Sequence, residues 1–182
     1  MERGVKPKVS LLLSIVVTGI LLSIILGALT NAINAAISPT YFYLVFNQQV
    51  DSDQVWKASI MSGIREAGCL GLIISNIFTA GASAICRSQL SYGVAVRYLL
   101  GISGGALIAW IFGGLVALSL AVLHPALYAN IFGTRGGFDG LLGYAWVSGS
   151  IWGIEGGSLI SMIVALAKLR THRKLPANQK HD

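Results

Sequence analysis

Three ionisable residues lie deep inside long apolar stretches of this 182-residue chain: Arg65, Glu66 and Glu155. Each lies roughly 10 residues from the predicted outer end of its stretch, which is near mid-depth of a bilayer at the helical rise of about 1.5 Å per residue. An Arg, Lys or Asp at a helix centre costs about 2.5–3.5 kcal/mol on insertion scales, and such residues often serve function. These three residues are therefore the first candidates for a site.

We expect Arg65 to pair with Glu155, because a guanidinium can bind a carboxylate through two parallel hydrogen bonds. Glu66 would then face Asn31, Asn34 or a water-filled cleft. These five residues form the predicted charged cluster within the membrane. The alternative explanation is a purely structural ion pair that holds two helices in register.

The composition indicates a membrane protein. Hydrophobic residues make up 54% of the chain and charged residues 11%, whereas a soluble domain is about 25% charged. Glycine, at 22 residues, is far above its usual share of about 7%, and membrane helices tolerate it well. The net charge of +6 lies at the ends of the apolar stretches and in the tail, with no basic face interleaved with aromatics, which excludes nucleic-acid binding.

Four stretches are long enough to span a bilayer, which needs about 20 apolar residues. They predict an all-α, four-helix transmembrane bundle with spans at about residues 9–37, 55–85, 98–123 and 144–167. Pro39 and Pro125 break the helices after the first and third spans, where short interfacial helices are expected. Residues 126–143 are expected to form a glycine-rich loop, and residues 168–182 a disordered basic tail.

Small residues recur at every fourth position in the second and fourth spans. On a helix this spacing forms a groove almost without side chains, typical of a glycine zipper, along which another helix can approach closely. We expect both stripes to pack against helices rather than lipid. Their central members are Gly63, Ala67, Gly71 and Ser75 in the second span and Gly149, Gly153, Gly157 and Ser161 in the fourth.

The two halves of the chain resemble each other. A shift of 86 residues without a gap places Pro39 on Pro125, and Gly63 and Gly71 on Gly149 and Gly157. Biased composition alone is the alternative explanation. A duplication predicts two parallel-related repeats of two spans each, at residues 9–97 and 98–167, between a basic lead at 1–8 and the tail at 168–182.

One short stretch carries a resemblance. Residues 31–42, from Asn31 through Ser38 and Pro39 to Phe42, resemble a motif of uncharacterised bacterial multi-pass membrane proteins. The resemblance implies no activity, no ligand and no functional residue.

The sequence contains no HExxH, GxSxG, Walker or CxxC motif, and no histidine has a metal-like partner. We therefore expect no metal and no cofactor, and no nucleophile–base pair favours an enzyme. Two classes of function remain. The first is an oligomeric transport or permeation unit whose charged cluster lines a polar path. The alternative is a scaffold or accessory subunit that docks partner helices through its stripes. Expected partners are the bilayer, anionic lipid at the basic tail, and further copies or partner helices.

The charge distribution predicts the orientation. The lead, the link at residues 87–97 and the tail contain ten of the 13 Lys and Arg residues. The positive-inside rule therefore places both termini in the cytoplasm, with the four spans in the inner membrane of the cell.

Cysteines introduced by Asp53→Cys and Asp139→Cys should accordingly react with an impermeant thiol reagent added outside intact cells. A Lys180→Cys control should react only after the membrane is permeabilised. Labelling of either aspartate position from the cytoplasmic side alone would contradict this orientation.

Overall fold

The chain folds into α-helices throughout the part that the computed structural model describes, which is residues 8–46, 54–86, 90–132 and 138–174. Four of the helices there are long and apolar enough to cross a membrane, namely the first, third, fourth and sixth. This confirms the all-helical class and the four spans. The helices are α1 (Val9–Ile37), α2 (Pro39–Val45), α3 (Val55–Cys86), α4 (Tyr92–Leu123), α5 (Pro125–Phe132) and α6 (Phe138–Lys174).

Proline marks the junctions between α1 and α2 and between α4 and α5. The Ser38 N–H donates to the Asn34 carbonyl at 2.9 Å, which closes the last turn of α1, and Pro39 then opens α2. The His124 N–H likewise donates to the Leu120 carbonyl at 2.9 Å, and α5 begins at the next residue, Pro125. Proline suits a first helical position because its missing N–H has no partner to lose there.

Three predicted boundaries differ from the structure. Helix α4 begins within the expected link, where the Ser91 hydroxyl accepts from the Val94 N–H at 3.4 Å. The loop expected at residues 126–143 is wrong for the most part, because α5 and the start of α6 occupy it. The tail expected to be disordered is helical as far as Lys174. Basic residues near a helix C-terminus stabilise the helix because their positive charge interacts favourably with the helix dipole. Residues 1–7, 47–53, 87–89, 133–137 and 175–182, which include parts of the expected link and loop, lie outside the described part.

The four long helices form two antiparallel pairs. Helix α1 packs along α3, and α4 packs along α6, while the pairs meet through α1 with α4 and through α3 with α6. A large apolar cluster fills the junction near the N-terminal end of α1, with Ile15 and Phe78 fully buried there. Large apolar residues such as Leu13 and Ile108 remain exposed on the outer surface, as expected for helices that face lipid.

Close backbone contact holds each pair together. A Cβ added to Gly71 would lie 2.6 Å from the Ser23 hydroxyl, and one added to Gly149 would lie 2.5 Å from the Gly113 carbonyl oxygen. The small-residue stripe of α3 thus lies against α1, and that of α6 against α4. In membranes, such contacts replace the hydrophobic driving force that lipid cannot supply.

Equivalent contacts occur in both pairs. Gly19 meets Ser75, and 86 residues further along Gly105 meets Ser161. Gly27 meets Gly63, and the corresponding Gly113 meets Gly149. The two pairs therefore use the same small residues at the same spacing to bring their helices together.

The packing at Gly153 can be tested against a nearby glycine. Gly153→Leu should destabilise the protein by about 1–3 kcal/mol, because a Cβ there meets the α4 backbone, including Gly113 Cα at 3.1 Å. Gly156→Leu on the same helix is the control, since its Cβ would meet nothing within 4 Å. Equal thermal stability of the two variants in detergent would show that the close contact contributes nothing.

Candidate functional site

A cavity of about 70 Å³ lies where the two helix pairs meet. Helices α1 and α3 form one wall, and α4 and α6 form the other. The polar and aromatic residues that define it are Asn31, Asn34, Glu66, Trp110, Glu155 and Ser158. Helix α4 contributes a side chain from its middle, so the cavity lies within the spans rather than at their ends.

The structure brings four of the five predicted cluster residues to this cavity, and the fifth lies elsewhere. Asn31, Asn34, Glu66 and Glu155 all line it, but Arg65 does not. Arg65 is exposed, and within the described residues no ion pair joins it to Glu155. The expected pair between Arg65 and Glu155 is therefore absent. Glu66, rather than Arg65, lines the cavity together with Glu155. Helix α3 contributes Gly63, Glu66, Ala67 and Leu70 to the lining, and Arg65 lies about 100° around the helix from Glu66, on the side away from Ala67.

Hydrogen bonds fix the two asparagines between helices. Asn31 Nδ2 donates to the Ser59 carbonyl at 3.1 Å, which ties α1 to α3. The Ser150 hydroxyl donates to Asn34 Oδ1 at 3.2 Å, which ties α1 to α6. Asn34 is completely buried, so this bond joins the two helix pairs at the cavity.

Two buried donors at the cavity lack partners. Among the described residues, neither Asn34 Nδ2 nor Trp110 Nε1 has a hydrogen-bond acceptor. An unsatisfied buried donor costs about 1–3 kcal/mol, so each calls for an acceptor from water or a ligand. The cavity can supply one, because a water needs only about 10–15 Å³ of such space.

Two carboxyl groups face the cavity. Glu66 is exposed and Glu155 is half-buried, and the Ser62 hydroxyl donates to Glu66 Oε1. No Arg, Lys or His is among the described residues that line the cavity. Two carboxylates without a cationic side chain beside them attract protons and cations.

Aromatic side chains of α2 pack beside this region. The Tyr41 ring lies 5.0 Å from the Tyr144 ring and 5.2 Å from the Phe42 ring, between centroids. Burial raises the pKa of Tyr41 to about 12, and the neighbouring Tyr144, Glu66 and Glu155 contribute to the increase. The Tyr41 hydroxyl therefore stays protonated and neutral at physiological pH.

Sequence reasoning missed Trp110 and Ser150. Trp110 lies within an apolar span, but its position in the middle of that span is informative. Tryptophan prefers the membrane interfaces, where its N–H is solvated, so a mid-span tryptophan suggests a polar partner inside the protein. Ser150 offered no comparable signal among the many small residues of its span.

Comparisons with known proteins found no match to the chain among family models, curated proteins or solved structures.

Double-mutant cycles can test which contacts exist. The Arg65→Gln and Glu155→Gln cycle should give a coupling energy near zero, because the two side chains do not pair. The Asn34→Leu and Ser150→Ala cycle should give about 0.5–1.5 kcal/mol, as for a typical hydrogen bond. Thermal unfolding in detergent measures both, and a large coupling between Arg65 and Glu155 would contradict the described geometry.

Proposed function

We propose that this protein is a membrane transport or permeation unit that moves protons or small cations through the cavity between its helix pairs. The observation that carries this proposal is the convergence of Glu66 and Glu155, from different pairs, on one cavity with no cationic side chain in its described lining. Ionisable residues inside a membrane are expensive to bury and commonly mark ion or proton pathways.

The unpartnered donors support the same proposal. A path for protons or hydrated cations needs water that can both accept and donate hydrogen bonds. Asn34 Nδ2 and Trp110 Nε1 offer donors to such water, while Glu66 and Glu155 offer acceptors. The cavity therefore has the chemistry to order a short chain of waters between its walls.

We also propose that the chain consists of two parallel repeats related by the shift of 86 residues. The equivalent glycine contacts and the matching helix ends at Ile37 and Leu123 support it. Under this shift the polar wall residues Asn31, Asn34 and Glu66 correspond to apolar or aromatic ones, Ala117, Leu120 and Trp152. Asn31 and Asn34 are buried at the cavity, whereas Leu120 and Trp152 are exposed on the surface.

The scaffold alternative receives less support from the packing. Docking a partner through the small-residue stripes needs those stripes to be free. Gly71 already lies against α1, and Gly149 and Gly153 lie against α4. A partner would have to use other surfaces, so the alternative loses the feature that suggested it.

Several finer expectations complete the proposal. Both termini lie in the cytoplasm of a cell with the protein in its inner membrane, and α2 and α5 lie at the interface. One four-span chain is small for a complete pathway, so the working unit is an oligomer. Lys168 and Arg170 are exposed on the last turns of α6, where anionic lipid would meet the basic tail.

Flux through purified protein in liposomes tests the central proposal. With a membrane potential imposed, proton flux followed by an internal pH dye and cation flux by an ion-selective dye should both be measured. Glu66→Gln and Glu155→Gln should abolish the flux while circular dichroism and thermal stability stay unchanged. Arg65→Gln is the matched control, because it changes an exposed neighbour outside the cavity lining and should keep the flux.

Two outcomes would contradict the proposal. Wild-type protein that is folded but carries no proton or cation flux would favour the scaffold alternative. Flux that survives in both glutamine variants would place any pathway outside this cavity.

A further inference from the structure

A second groove lies on the outer surface between α4 and α6, with a volume of about 690 Å³. It is at the end of the bundle where α4 begins and α6 ends. Its lining is mostly apolar or small but includes two cationic side chains. The residues that define it are Arg97, Gly101, Gly105, Ile160, Val164 and Lys168.

The groove is open because its floor lacks side chains. A Cβ placed on Gly101 would meet nothing within 4 Å. The residue 86 positions earlier is Ile15, which is fully buried in the contact with the other helix pair. By the same shift of 86 residues, Val164 corresponds to Phe78, which is fully buried. The face that packs against the other helix pair in the first half is therefore an open groove in the second half.

The groove also carries positive charge that the corresponding face of the first half lacks. Arg97 and Lys168 replace the packed Leu11 and Ala82 of the first half, and both cationic side chains are exposed. Arg97 lies five residues after the start of α4, which is about 7.5 Å along the helix. Lys168 lies within the last turn of the α6 span, which ends at Thr171. Both cationic side chains therefore lie near the ends of their candidate spans, at one end of the groove.

We propose that this groove binds an anionic phospholipid. The phosphate would contact Arg97 and Lys168, and an acyl chain would lie over Gly101 and Gly105. Basic pockets between transmembrane helices are suited to anionic headgroups, and no carboxylate is among the described residues that line the groove. A second copy of the chain fits less well, because two cations replace the apolar residues that make the protein contact in the first half. The proposal is independent of transport through the cavity.

Native mass spectrometry of the full chain released from detergent tests this site. Phosphatidylglycerol and phosphatidylcholine with identical acyl chains should be added in equal amounts, and retention of the anionic lipid should exceed that of the zwitterionic one. Arg97→Gln with Lys168→Gln should lower the affinity for phosphatidylglycerol about 10- to 30-fold. Lys57→Gln is the control, since it removes an exposed cation outside the groove.

The apolar part of the groove has its own variant. Gly101→Leu should fill it without a clash and reduce retention of phosphatidylglycerol while both cations remain. Gly104→Leu is the matched control, because its Cβ would also meet nothing within 4 Å and Gly104 is outside the lining.

Other results would overturn the proposal. Equal retention of the two lipids, or retention unaffected by the charge and Gly101 variants, would show that the groove has no lipid specificity. A dimer in the wild-type spectrum that Gly101→Leu converts to monomer, with lipid retention unchanged, would assign the groove to a second copy.

Discussion

Close backbone contact between paired helices is the constraint on which the rest of the structure depends. Gly27 meets Gly63, and Gly113 meets Gly149, so tightly that no Cβ fits at these positions. Lipid offers no hydrophobic drive for helices to associate, and small residues permit the short-range packing that replaces it. Because these contacts occupy the stripes, polar side chains on neighbouring faces are directed toward the junction between the pairs. The cavity lies at that junction and is lined by residues of both pairs.

The difference between the halves gives the cavity its character. Both halves bring their helices together in the same way, but Asn34 and Glu66 of the first half correspond to Leu120 and Trp152 of the second. Asn34 is completely buried, whereas Leu120 and Trp152 are exposed, which suits a bilayer because unsatisfied polar groups are costly in hydrocarbon. Two helix pairs packed in the same way thus enclose a polar cavity and expose an apolar outer surface.

Sequence reasoning succeeded where local chemistry decides the outcome. Hydropathy located the four spans, and Pro39 and Pro125 mark where helices begin. It failed where direction around a helix matters: depth alone suggested that Arg65 meets Glu155, whereas the neighbouring Glu66 faces the cavity. Glycines at residues 126–143 suggested a loop, although glycine is also common within membrane helices, where it permits close packing. Trp110 and Ser150 became recognisable only once the two helix pairs were placed together.

Water access to the cavity tests the central claim most directly. Ser158 lines the cavity and is 8% exposed, while the native Cys69 is exposed and outside the lining. Both lie near the middle of 32-residue spans. A charged thiosulfonate reagent should modify the Ser158→Cys variant, made with Cys69→Ser and Cys86→Ser, faster than Cys69 in the Cys86→Ser variant. The faster reaction at position 158 is expected because the cavity holds water, whereas Cys69 faces lipid. No modification at position 158, with or without reaction at Cys69, would contradict a hydrated cavity between the helix pairs.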